Sequence, residues 1–206
     1  LLVCLLSVTE HKPSGEIRLW IDDELVWSRT AFHEAARDTL QRVAEYRTSD
    51  FTSYGDPAGA FKESTMQSWE TNLQHAGVPI YCLPVEIQND REQLKWGFRM
   101  VQRMLVSGDL RIHDRCTYLW KCVENWSYRV PYGKEVNEAD SEYIGPKHDD
   151  YSHGGMALVY LVRGALMQAE QRLASSVASR EALAASLGDL GRGSYSTHRA
   201  ARSARG

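Results

Sequence analysis

A chain of 206 residues with 43% apolar content suits one domain of about 150 to 170 residues with an appendage, and its core can be of ordinary size. The net charge of −3 and a sequence pI near 6.2 exclude a chain-wide positive field, so any nucleic-acid binding must use a local patch or a partner's charge. Four cysteines, Cys4, Cys82, Cys116 and Cys122, are widely spaced with no Cys-x-x-Cys, which fits reduced thiols better than a zinc site or a disulfide framework.

The first residues, Leu-Leu-Val-Cys-Leu-Leu, are too few to span a bilayer and have no basic flank, so they predict a buried strand over Leu1 to Val8 and not a membrane helix or signal peptide. A turn over His11 to Gly15 leads to a second strand, Ile17 to Trp27, and the two predict a hairpin. Thr30 is placed to cap a helix with Ala31, Ala35, Leu40 and Val43 on one side. A short strand follows at Phe51 to Tyr54 and stops at Gly55-Asp56-Pro57. Next come a helix from about Ser64 to His75 that ends at Gly77, and a strand from Val78 to Leu83. Asn89 or Asp90 is placed to cap a helix through Leu105; Gly108 then turns into a strand from Leu110 to His113, and Asp114 is placed to cap a helix from Arg115 to Asn125. The polar stretch Ser127 to Lys147 predicts a loop or weak hairpin, and a last helix is expected from about Ser152 to Ser175. This order predicts an α/β or α+β sheet covered by helices, with a folded domain over residues 1–175. Residues 176–206, rich in Ala, Ser, Gly and Arg, are expected to be a flexible tail.

The candidate chemical groups are acidic. Asp56 follows a strand as part of an Asp-Pro turn, which is ordinary turn chemistry, but the same place exposes a carboxylate that can hold a divalent metal against a phosphate. Asp22, Asp23 and Glu24 lie within the second strand, where alternation puts Asp22 and Glu24 on one face and Asp23 on the other. Lys147-His-Asp-Asp-Tyr-Ser-His153 gathers two carboxylates and two imidazoles at a helix start, either to favour the positive end of the helix dipole or to bind metal. Separated carboxylates of this kind are what two-metal phosphodiester hydrolysis requires, with ions about 3.5–4 Å apart; oxygen ligands select Mg²⁺ or Mn²⁺.

Five stretches in order, Gly55-Asp-Pro-Ala-Gly59, Gly77-Val-Pro-Ile-Tyr81, the helical run from Gln88 to Leu105, Gly108-Asp-Leu-Arg-Ile-His-Asp-Arg-Cys116 and Asp149-Asp-Tyr-Ser-His-Gly-Gly-Met-Ala-Leu-Val-Tyr-Leu161, resemble the C-terminal nuclease domain of tailed-phage terminase large subunits. The resemblance covers roughly residues 3 to 165. It implies an RNase H-like fold, a mixed sheet flanked by helices, and an endonuclease that cuts concatemeric viral DNA in the cytoplasm of the bacterial host. It also implies Mg²⁺ or Mn²⁺ as cofactor. The partners it implies are double-stranded DNA, the terminase small subunit, the portal and a separate ATPase motor. Carried over by position, Asp56 and Asp150 resemble the catalytic metal-binding acids, Asp149 and Glu24 further ligands, and His153 the family's histidine beside the site.

The chain departs from the family in two places. The family's first strand, with an acid followed shortly by Gly, is expected upstream of Leu1, and Met156 stands where many relatives carry an Asp on the final helix; a thioether is a poor ligand for Mg²⁺. No G-x-x-x-x-G-K-[ST] occurs, so no ATP site is expected in this chain. Two alternatives follow: a nuclease-dead DNA-binding or packaging-assembly module of the same family, and another RNase H-like enzyme such as a transposase or Holliday-junction resolvase.

Overall fold

The first two strands are the longest and set the frame. β1 (Leu2–His11) and β2 (Ile17–Trp27) pair antiparallel around the turn at Lys12–Glu16, and β5 (Leu110–Ile112) adds to β2 in parallel, giving a mixed sheet in the order β1-β2-β5. The computed structural model describes residues 1–47, 51–61, 68–84, 91–127, 147 and 149–196, with side chains as far as residue 179 except that of Arg91. β3 (Ser53–Gly55) and β4 (Ile80–Cys82) form a separate parallel pair. The architecture is therefore α/β with a mixed sheet and helices.

Ile17, Leu19 and Ile21 are buried at alternate positions of β2, and Leu19 and Ile21 pair with Leu110 and Ile112, so these side chains share one face. The alternation then breaks. Leu6 pairs with Asp23 and the next residue, Ser7, pairs with Ile21, which leaves Asp22 as the extra residue of a β-bulge. Ile21 and Asp23 are two apart yet oppose consecutive residues of β1, and so they point to opposite faces. The expected pairing of Asp22 with Glu24 on one face holds only in a strand without a bulge.

Helix α1 (Phe32–Glu45) covers the face that Asp23 enters: Arg42 donates to Asp23 at 2.8 Å, and Trp27 Nε1 donates to Asp38 at 3.0 Å. Its cap differs from the expected one, because the N-cap position is Ala31 and Thr30 donates instead to the carbonyl of Ser28. Ser68 caps α2 (Trp69–His75) by accepting from Thr71 N at 3.1 Å, and the chain leaves that helix at Gly77 with φ of +91°, as the sequence predicts. The proposed caps Asn89 and Asp90 and most of the loop expected before Lys147 lie outside the described residues. Helix α3 (Arg91–Ser107) packs against β5, and α4 (Thr117–Asn125) against β2.

The final helix, α5 (Asp150–Ser196), is longer than predicted and runs on into the expected tail as far as Ser196. Leu158, Val159 and Val162 are buried on it, and its glycines mark where neighbours come close. A Cβ on Gly164 would overlap the ring of Tyr54 in β3, and one on Gly154 would lie 2.6 Å from Cys122 Sγ in α4. The chain divides into two compact units, Leu1–Leu166 and Met167–Gly206. In the second, residues 170–179 of the helix are exposed. Among the described residues no helix is long and apolar enough to cross a membrane.

Candidate functional site

The C-terminal ends of adjacent parallel strands are a frequent place for chemistry in α/β sheets. β3 ends at Gly55 and Asp56 follows it directly; β4 ends at Cys82 beside it. Asp56 is exposed, and its Oδ1 accepts from Ala58 N at 2.8 Å, capping the 3-10 turn Pro57–Ala60. From α5 the buried Tyr160 brings its hydroxyl against the Asp56 carboxylate, and burial together with that carboxylate raises the phenol's pKa. Glu70 of α2 closes the other side by accepting from Cys82 N at 2.9 Å. The Cys82 thiol, between the two carboxylates, is pushed up to about 12, first by burial and then by the charges of Glu70 and Asp56. Asp56 thus meets Tyr160, and Cys82 beside it meets Glu70, two residues that no motif spacing pointed to. Both come from elements distant in sequence, and the packing of α2 and α5 brings them to the ends of β4 and β3.

Glu24 stands elsewhere. Its Oε1 accepts from Tyr118 N at 2.7 Å and its Oε2 from Leu119 N at 2.8 Å, so a strand carboxylate caps the N-terminus of α4 in place of the expected Asp114. Both oxygens bind backbone donors that are otherwise orphans of the helix end. Glu24→Ala is expected to cost about 2 kcal/mol, the scale of hydrogen bonds to a charged acceptor, read as a fall in the urea midpoint with no change in slope.

Asp149 is a second cap. Its Oδ1 accepts from Tyr151 N at 3.1 Å and Ser152 N at 3.2 Å, and Lys147 lies 3.3 Å from its Oδ2. Asp150 opens α5, and its carbonyl accepts from the Tyr118 hydroxyl at 2.5 Å. His153 and Met156 are half-buried on successive turns of the same helix. Asp56 meets α5 at Tyr160, whose backbone is ten residues beyond Asp150, or about 15 Å along the axis. The structure therefore gathers Asp149, Asp150 and His153 at one helix end, places Glu24 on α4, and sets Asp56 against Tyr160. Among the described residues no group of three or more His, Cys, Asp or Glu side chains is placed to hold a metal ion.

The bulge makes one more electrostatic cluster. Asp22 accepts from the Tyr46 hydroxyl at 2.6 Å and from Arg115 at 3.0 Å. The Tyr46 hydrogen bond first, and then Arg115, hold its carboxyl below the usual range against a desolvation that opposes them. A carboxyl whose folded pKa is depressed contributes stability above its unfolded value of about 3.9, and that contribution is lost as pH falls through the folded value. The urea midpoint is accordingly expected to fall with acidification below about pH 4, and to fall less in Asp22→Asn. No family model, curated protein or solved structure matches the chain.

Proposed function

We propose that the chain is a DNA-acting domain of the RNase H-like type, related to the nuclease domain of terminase large subunits, with Asp56 as its reactive carboxylate. The observation that carries this reading is the place of Asp56: an exposed acid directly after a parallel strand, beside the end of the neighbouring strand, held against Tyr160 of the final helix. In that reading the domain acts on double-stranded DNA within a packaging complex with a small subunit, a portal and a motor supplied by other chains or segments.

The family's Mg²⁺ or Mn²⁺ pair does not fit the described side chains. Glu24 and Asp149 serve helix N-termini, and Asp56 and Asp150 touch α5 ten residues apart. That arrangement favours a second reading, a DNA-binding or packaging-assembly module of the same family without a two-metal centre. Calorimetric titration of Mn²⁺ into the chain and into Asp56→Ala and Asp150→Ala separates the two. Binding that both variants lose supports the endonuclease and requires the two acids to share an ion. No binding at millimolar metal would withdraw the endonuclease in favour of the second reading.

A further inference from the structure

Helix α5 continues where nothing in its own chain covers it. Residues 170–179 are exposed, and among them Leu173 and Val177, at 55% and 46% exposure, stand four apart and so on one side of the helix. At 1.5 Å per residue the helix over residues 170–196 is about 40 Å long, and most helices in proteins draw their stability from an apolar stripe packed on something else. The serines beside the stripe do not oppose burial. Ser175, Ser176 and Ser179 donate to the carbonyls of Gln171, Leu173 and Ser175 at 2.8 Å each, so their hydroxyl protons are already taken within the helix. Beyond Val177 the sequence keeps the alternating three- and four-residue steps of a heptad, through Arg180, Ala184 and Leu187.

The order of charges selects what such a stripe fits. Over residues 170–196 it runs Glu170, Arg172, Arg180, Glu181, Asp189, Arg192, which is minus, plus, plus, minus, minus, plus. Taken from the other end the order is plus, minus, minus, plus, plus, minus, opposite at every place. Two copies of this helix laid antiparallel about residue 181 therefore set Glu170 level with Arg192, Arg172 with Asp189 and Arg180 with Glu181, each to within one residue or about 1.5 Å along the axis. The same arrangement sets Leu173 within two residues of Leu187, and Val177 within two of Leu183. A parallel pair in register sets every charge beside its own kind.

We propose that residues 170–196 of α5 pair with the same segment of a second copy of this chain as an antiparallel two-helix coiled coil, on a twofold axis near residue 181. An unrelated helix would need six charges of the right sign in the right order at the same spacing; the chain's own segment, reversed, has them. Self-complementarity of this kind is the property of an isologous twofold interface. The apolar stripe supplies the burial, and the charges set orientation and register. The inference is independent of the nuclease reading and of any metal.

The test is sedimentation velocity of the full chain, which should give a species of twice its 23.4 kDa at micromolar concentration. Arg180→Glu and Glu181→Arg each set like charges together at the axis, twice over by symmetry, and each should weaken the dimer at least about tenfold. The exchange Arg180→Glu/Glu181→Arg puts opposite signs together again and should recover it, an outcome that a parallel pair does not predict. Leu173→Gln/Val177→Gln should be monomeric. Tryptophan fluorescence, whose six reporters all precede residue 127, should be the same in every variant, which separates loss of the dimer from loss of the fold. A parent that stays monomeric at high micromolar concentration, a dimer indifferent to either reversal, or an exchange that does not recover it overturns the proposal. A dimer that survives Leu173→Gln/Val177→Gln is held by another surface and overturns it as well.

Discussion

Gly164→Ala is expected to lower the free energy of unfolding by about 3 kcal/mol, at the upper end of what one added carbon costs in a packed interior. The position lies on α5 where the ring of Tyr54 rests on bare backbone, and a Cβ there would overlap the ring atoms Cγ, Cδ1 and Cδ2. A ring held at its own Cβ cannot swing aside as the end of a lysine would, so either β3 or the helix must move. Urea unfolding of Gly164→Ala, Tyr54→Ala and the double variant gives the coupling directly. The double variant should be more stable than the sum of the two losses predicts, by at least about 1 kcal/mol. Strict additivity would mean that the helix and strand do not meet at this contact.

If the chain nicks supercoiled plasmid in Mn²⁺, Asp56→Asn should lower that nicking by at least about a hundredfold, the scale felt when one group that meets developing charge is removed. It should leave stability almost unchanged. Asparagine still accepts from Ala58 N and caps the 3-10 turn nearly as well as aspartate, so this variant removes the charge and keeps the local fold. Asp56→Ala loses both, and should add about 1 kcal/mol of destabilisation to the loss of cleavage. If the chain nicks plasmid and Asp56→Asn nicks equally well, Asp56 is a turn residue and its assignment to catalysis is wrong.

Much of the fold is legible in the residues because its signals are local. The hairpin follows from alternation and a Pro-Ser-Gly turn, and β2 has the predicted bounds of Ile17 and Trp27. Gly77 ends α2 as its lack of a Cβ allows, and the Asp-Pro pair forms the expected turn with Asp56 at its head. The misses share a cause, which is distance along the chain. Glu24 looks like a strand acid until α4 arrives 94 residues later and presents Tyr118 and Leu119 N–H groups to it. Asp114, adjacent in sequence, was the natural candidate for the same task. The bulge at Asp22 has no signature in β2 alone, since it is a property of the register with β1. Tyr160 joins Asp56, and Glu70 joins Cys82, through tertiary packing, with no spacing rule to announce them. The final helix outruns its prediction because Ala, Leu, Arg and Glu beyond Ser175 are good helix formers, whereas the expectation rested on their failure to make a core.

The sheet order leaves β1 at one margin, with β2 on its inner side and, among the described residues, no strand on its outer side. Its first half, Leu2-Val-Cys-Leu-Leu6, has no charge, proline or glycine, and the first charged residue of β1 is Glu10. Protein edges are commonly defended by an inward-pointing lysine, a proline or a short strand, and none of these stands in this half. Among the described residues, this half of the hairpin's outer strand therefore carries none of the usual guards against cross-β growth. Cross-β association of the purified chain at high concentration is expected to start from that edge, against a net charge of only −3.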